Sequence, residues 1–244
     1  MAVFTIADLH LSTDASTNKS MEVFGQRWAN YTSRLEENWR KLVREDDTVI
    51  IPGDVSWALS LEESREDLRF LNALPGKKII GKGNHDFWWS TMRKLDALMK
   101  EEKFETLFFL FNNAYEVEDF IIAGSRGWFP EDGVGALQNE VDFEKITNRE
   151  VGRLRLSLDA AKRLQEQTGK EIIVFMHFPV VWADKANEAF VELLTEYGIS
   201  RVYFGHIHSV YHLPSVIEYK NITFELISAD YLSFVPKFVP EKTP

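Results

Sequence analysis

The chain has 244 residues, 45% of them hydrophobic and 13% aromatic, with a formal charge of −10 and no cysteine. Such a composition buries a sizeable core and excludes the disordered class, and the missing cysteines exclude a disulfide framework, a thiolate metal site and a Cys nucleophile. The acidic balance disfavours indiscriminate binding to nucleic acid or anionic lipid, both of which draw on basic patches.

The N-terminal MAVFTIADLH carries neither a basic n-region nor a long apolar h-region, so no signal peptide is expected. No later apolar run approaches the roughly 18 residues of a membrane span, and the expectation is a cytoplasmic protein. AVFTIAD (2–8) reads as a first strand, SRLEENWRKLVRE (33–45) as a helix and DTVIIPGD (47–54) as a second strand. LSLEESREDLRFLNAL (59–74) places Leu61, Leu68, Leu71 and Leu74 in a helical pattern, and KKIIGKGNHD (77–86) follows as the third strand. Strand, helix and strand in alternation predict parallel βαβ units.

From Phe104 to Trp128 the character changes, and LFFLFNNAYEVEDFIIAGSRGW predicts two strands with a turn near Val117 to Asp119. A long helix is predicted over EKITNREVGRLRLSLDAAKRLQEQTG (144–169), with Gly169 as its C-cap. Two further strands, EIIVFMHFP and RVYFGHIH, flank the helix-like DKANEAFVELLTEYG, and the tail YHLPSVIEYKNITFELIS alternates like antiparallel strands. No repeat, low-complexity segment or linker interrupts the chain, so residues 1–244 are expected to form a single domain.

Five of the six histidines, His10, His85, His177, His206 and His208, fall at or just beyond the C-terminal end of a predicted strand. In α/β sheets those ends share one rim, where ligand sites lie. Asp8, Asp54 and Asn84 join them there. Each group alone is compatible with ordinary turn chemistry. Independent turns have no reason, however, to place imidazole, carboxylate and carboxamide at the ends of the same set of strands.

Nitrogen and oxygen donors without thiolate suit first-row divalent ions such as Mn, Fe, Co or Zn. The groups Asp8, His10, Asp54, Asn84, His177, His206 and His208 exceed what one tetrahedral zinc takes. Two ions sharing a carboxylate account for them.

With the blocks Asp8-Leu9-His10, Gly53-Asp54, Gly83-Asn84-His85-Asp86, His177 and Gly205-His206-Ile207-His208 in this order, the sequence resembles the calcineurin-like metallophosphoesterases. The resemblance spans residues 8–208. It implies an α/β fold, a four-layer α/β/β/α sandwich of two mixed sheets flanked by helices, with two divalent ions (Mn, Fe or Zn) at the strand ends. By matching positions one ion would take Asp8, His10, Asp54 and His208, and the other Asp54, Asn84, His177 and His206, with Asp54 bridging. His85 would then be catalytic, beside the scissile phosphate. The implied reaction is hydrolysis of a small phosphodiester or phosphomonoester by a metal-bridging hydroxide, with His85 stabilising charge or protonating the leaving oxygen, a contribution of about 10²–10⁴ in rate.

The pattern also departs from one branch of that family. Serine/threonine protein phosphatases continue the second block as GD-x-x-DR, whereas here Trp57 and Ala58 occupy the places of the acid and the arginine. Small esters are therefore expected over phosphoproteins. Asp86 either orients His85 or bonds backbone groups in its turn. Arg126 either supplies the missing phosphate clamp or is a surface arginine. Trp57, Trp88, Trp89 and Trp128 either wall a substrate pocket or sit in the core, and Lys82 reads as a solvated charge. Two other functions compete, a non-catalytic protein-binding scaffold of the same fold and a nuclease. Against the first stand the filled ligand positions, and against the second the charge of −10.

Overall fold

The computed structural model describes residues 1–13, 21–129 and 140–241. The first half alternates strand and helix: β1 (Val3–Thr5), α1 (Tyr31–Leu42), β2 (Thr48–Ile51), α2 (Arg65–Asn72) and β3 (Lys77–Ile80) fall in the segments expected of them, and α3 (Met92–Glu102) and β4 (Leu107–Phe109) continue the alternation beyond them. The second half holds β5 (Tyr115–Val117), β6 (Phe120–Ser125), α4 (Glu140–Thr168), β7 (Glu171–Met176), the short pair β8 (Val181–Trp182) and β9 (Lys185–Ala186), α5 (Glu188–Glu196), β10 (Arg201–Phe204), β11 (Val216–Tyr219), β12 (Ile222–Leu226) and β13 (Lys237–Phe238).

Two mixed sheets result. The first runs β13-β1-β2-β3-β4, parallel except for β13, and the second runs β11-β12-β10-β7-β6-β5, parallel except for the edge strands β11 and β5. Strand periodicity sorts the apolar residues into layers. Val49, Ile51 and Ile80 face outward to meet Leu35 and Trp39 of α1, Leu68 and Leu71 of α2, and Leu95 and Leu98 of α3. Their neighbours Ile50 and Ile79 face inward, where they join Ile122, Ile173, Phe175 and Tyr203 of the other sheet. On the far side Val174, Met176, Val202 and Phe204 pack against α4 and α5. The order is helix, sheet, sheet, helix. Because both faces of each sheet are covered, the parallel strands are near-continuous apolar runs.

In α4, Leu154, Leu158 and Ala161 lie on one buried stripe. The helix ends at Gly169, whose φ of 71° and N–H bond to Gln165 O at 2.8 Å fit the expected C-cap.

Three differences from the sequence expectations concern β-structure. The region expected to hold two strands holds three, and β4 leaves its neighbours to pair with β3 in the first sheet. The tail is antiparallel only between β11 and β12, since β12 runs parallel to β10 and adds one more strand end to the rim. A parallel bridge between Ala7 and Ser228 then sews the rim of one sheet to that of the other. Among the described residues no helix is long and apolar enough to cross a membrane.

Candidate metal centre

Beyond β1 and β2 the chain runs as two laced loops, with Asp8 N donating to Gly53 O at 3.1 Å and His10 N to Asp54 O at 2.9 Å. To turn their side chains into the cleft, Asp8, His10, Asp54 and His206 adopt left-handed φ values of 60°, 46°, 51° and 70°. Such conformations are uncommon outside glycine and cluster at functional sites. Two glycines allow the carboxylates to close against backbone. A Cβ at Gly83 would lie 2.0 Å from Asp54 Oδ1, and one at Gly205 would lie 2.4 Å from Asp8 Oδ2. The space they leave is used: Asp54 Oδ1 accepts His85 N at 2.8 Å, and Asp8 Oδ2 accepts His206 N at 2.9 Å.

The groups expected at the rim do converge. Asn84 Oδ1 lies 2.6 Å from His177 Nε2 and 3.0 Å from His206 Nδ1, and His10 Nε2 lies 3.3 Å from His208 Nε2. Asp54 Oδ2 sits between the halves, 3.8 Å from His10 Nε2 and 3.5 Å from His177 Nε2, while His177 Nδ1 is 3.5 Å from Asp8 Oδ1. Two sets, Asp8 with His10 and His208, and Asp8 with Asp54 and His177, each bring their ligand atoms within 4.8 Å of one another. The floor, Asp8, His10, Asp54 and His177, is buried, and Asn84, His85, His206 and His208 form a half-buried mouth.

Electrostatics mark the same spot. Burial, then repulsion from Asp86 and Asp8, pushes the Asp54 carboxyl well above its ordinary range, and burial raises Asp8 as well. Burial and the neighbouring imidazoles hold His10 and His177 well below 6.5, which leaves them neutral, each with a lone pair to offer. Asp8 Oδ1, His10 Nδ1 and His177 Nδ1 are buried with no hydrogen-bond partner. Paired buried acids, imidazoles held in the neutral form and an orphaned carboxylate oxygen are a set of donors suited to cations. The residues therefore fit divalent metal.

His85 stands at the mouth, its ring centroid 4.6 Å from that of Trp57 and 5.7 Å from that of His10. Trp57 in turn stacks on His10 at 4.8 Å with 22° between planes. Asp86 serves the backbone. Its carboxylate accepts Gly83 N at 2.8 Å, Asp54 N at 2.9 Å, Val55 N at 2.9 Å, Ser56 N at 3.3 Å and the Trp88 indole at 2.8 Å, and so binds the loops after β2 and β3 together.

Of the four tryptophans that could wall a pocket, Trp57 stacks on a donor ring. Trp88 and Trp89 pack in the outer core of the first sheet, and Trp128 packs on Phe178. Arg126 pairs with Glu150, Nη2 to Oε1 at 3.1 Å, and its side chain is 18% exposed, so it is not a free surface arginine. Lys82, expected in solvent, is half-buried, with its pKa lowered by burial and by the charge of Arg126.

Sequence reasoning missed Asp230. Its Oδ1 lies 2.8 Å from His208 Nδ1, and its Oδ2 accepts Ser209 N at 3.1 Å and Tyr211 Oη at 2.9 Å. Burial lowers the His208 pKa, but the Asp230 bond and the Asp8 charge outweigh it and the net shift is upward. The signal was an acid just past β12, hidden because that strand does not read as parallel.

A family model described as calcineurin-like phosphoesterase matches residues 1–210. Among solved structures, the phosphopantetheinyl hydrolase PptH from Mycobacterium tuberculosis is similar at 17% identity with a TM-score of 0.53, covering 100% of this chain and 98% of that one. TT1561 of Thermus thermophilus is similar at 9% identity with a TM-score of 0.54, covering 94% and 89%. These likenesses are of fold. Among curated proteins none matches the chain.

Proposed function

The chain belongs to the calcineurin-like phosphoesterase family, and from that premise we propose that it is a single-domain hydrolase, residues 1–244, that cleaves small phosphate esters with a pair of divalent transition-metal ions, Mn, Fe or Zn. The observation that carries the reading is the position of Asp54 Oδ2 between His10 and His177, at 3.8 Å and 3.5 Å, at the seam of the donor set. Asp8, His10, Asp54 and His208 would hold one ion, and Asp54, Asn84, His177 and His206 the other. Bound there, the ions would supply Lewis acidity toward a phosphoryl oxygen and lower the pKa of a water to about 7.

The protein's own part is positioning and proton handling. Asp8 and Asp54 would bring the negative charge that holds cations, on a floor that is buried beneath a half-buried mouth. His85 stands outside the donor set and presents its ring at the mouth, where it would hold a proton for the leaving oxygen. Trp57, stacked on His10 and tilted on His85, fixes both ring planes and forms the wall against which a leaving group would lie.

Trp57 and Ala58 stand where a protein phosphatase has its acid and arginine, which favours small esters over phosphoproteins. Arg126 contributes positive charge at the rim. Diesters are the better fit, because a dianionic monoester would call for a further cation at the reacting phosphorus.

The test is reconstitution with manganese, elemental analysis, and a screen of bis-p-nitrophenyl phosphate, p-nitrophenyl phosphate, cyclic nucleotides, a phosphopantetheinyl ester and phosphopeptides. Two ions per chain and turnover of a small ester are expected. One ion or none would sink the binuclear reading, and a preference for phosphopeptides over every small ester would sink the substrate class.

A further inference from the structure

Beside the donor set, three guanidinium groups converge on one carboxylate. Glu150, on α4 and fully buried, holds its Oε1 at 3.1 Å from Arg126 Nη2, 3.0 Å from Arg153 Nη1 and 3.4 Å from Arg149 Nε. One arginine suffices to neutralise a buried acid. The second and third add mutual repulsion, softened by solvent at the exposed Arg149 and Arg153, and among the described residues they leave more positive than negative charge at this spot. Among the described residues no other carboxylate lies within ion-pair reach of these arginines.

Lys82 lines the same cleft together with Arg126, Glu150, Arg153 and Phe111. Three cations thus line the cleft beside one acid, and Arg149 reaches the same acid at 3.4 Å, on a chain whose overall charge is −10. Rings flank two of the guanidiniums, with Arg153 Cζ 5.4 Å from the Phe111 centroid and Arg126 Cζ 5.5 Å from that of Trp128. Arg126 Nε is buried with no hydrogen-bond partner, as is Glu150 Oε2. The guanidiniums an oxyanion would meet are the more exposed planar forks of Arg149 and Arg153.

The cleft adjoins the candidate metal centre along the chain. Lys82 lies two residues before Asn84 in the loop after β3, and Arg126 O accepts the N–H of Phe178, the residue after His177.

We propose that Lys82, Arg126, Arg149 and Arg153 form an anion subsite that receives a second phosphate group of the substrate, apart from the ester that is cleaved. Glu150 gathers the guanidiniums and offsets part of their repulsion while leaving the surplus charge for the ligand. What the second phosphate is attached to rests on the phosphoester-hydrolase reading above; the anion site itself is a property of the guanidinium cluster at the cleft's open edge, where Arg149 and Arg153 reach solvent, since the enclosed part, about 10 Å³, holds no more than a water.

Inorganic phosphate titrated calorimetrically into the chelator-treated, metal-free protein is expected to bind at one site. Arg153→Gln, at a side chain 34% exposed, should weaken it by about 10- to 100-fold, the loss of one charge-assisted hydrogen bond. Glu150→Gln separates recognition from architecture: removal of the competing charge should tighten phosphate binding, whereas an acid that only holds the cleft in shape would leave binding weaker. If Glu150→Gln does not fold, Arg153→Gln and Arg149→Gln carry the test, with thermal unfolding as the check on each.

In the manganese-loaded protein, thymidine 5′-(p-nitrophenyl phosphate) bearing a 3′-phosphate should show a KM about tenfold below that of the same diester without it. In Arg153→Gln that ratio should collapse toward one. Absence of phosphate binding to the metal-free protein at millimolar concentration, or a KM ratio indifferent to Arg153→Gln, overturns the subsite. Phosphate binding that survives while neither diester is hydrolysed overturns the phosphoester reading and leaves the subsite standing.

Discussion

His208 Nδ1 lies 2.8 Å from Asp230 Oδ1. A carboxylate on one imidazole nitrogen fixes the tautomer and turns the other nitrogen outward, here toward His10 Nε2 at 3.3 Å. With His208 as a ligand, Asp230 would be its positioning residue. Asp230→Asn is expected to weaken one metal site by about 10- to 100-fold while leaving the other filled. A chelator-competition titration that finds both affinities unchanged would remove Asp230 from the site.

Trp57 is held from below. Ser56 Oγ donates to the buried Asp67 carboxylate and accepts Ala58 N at 3.0 Å, which pins the residues on either side of the indole. Trp57→Ala should lower turnover of bis-p-nitrophenyl phosphate by about 3- to 10-fold, the worth of an aromatic contact, with metal content intact. Trp57→Phe should recover most of that loss, and equal defects in the two variants would show that ring stacking is not the cause.

His85 and Asn84 are neighbours in sequence to which the proposed reading gives separate duties. Asn84→Ala should empty one metal site. His85→Asn should keep both and slow an ester with a poor leaving group by about 10²–10⁴. The loss should be smaller for p-nitrophenyl esters, whose leaving group needs little protonation. Near-wild-type turnover of poor-leaving-group esters by His85→Asn, at unchanged metal content, would reduce the histidine to a turn residue.

The Asp54 carboxyl is raised by burial and by the Asp86 and Asp8 charges, so the metal-free fold carries a penalty for ionising it. Because the folded pKa lies above the unfolded value of about 3.9, stability linked to this group is full below that value and is lost as pH rises through the folded pKa. Asp54→Asn should therefore stabilise the metal-free protein at pH 7 by about 1–3 kcal/mol, with the gain shrinking toward pH 4. The same variant should lose metal affinity most of all the ligand changes, since the carboxylate stands between the two halves of the donor set. Urea denaturation of both proteins across that range provides the check, and a gain that is constant with pH would contradict the linkage.

The donor set was legible because each of its members ends a strand in a recognisable block. DLH, GD, GNHD, H and GHIH could be read without knowing which strand lies beside which. Asp230 and the Glu150 cluster were not, because their meaning is set by pairing and packing: Asp230 depends on β12 lying parallel to β10, and Glu150 reads as one more polar residue on a long helix until Arg126 arrives from β6. Trp57 was visible as a departure from the phosphatase block, but its stacking on His10 needed the lacing of the β1 and β2 loops. The division of the aromatic stretch after Phe104 failed for a related reason. LFF and YEV are both plausible strands, and only the partner, β3 for one and β6 for the other, separates them.

The seam between the sheets runs through the middle of the donor set: Asp8, His10, Asp54 and Asn84 follow strands of one sheet, and His177, His206 and His208 follow strands of the other. The distances among these groups are therefore set by how closely the inner faces approach, through Ile50 and Ile79 on one side and Ile173, Phe175 and Tyr203 on the other, with Phe175 and Tyr203 stacked at 5.2 Å. That apolar layer acts as the spacer of a vernier. A methylene removed there would be felt at the rim as a change in the grip on the ions, and metal selectivity would be adjustable from residues that never touch a metal.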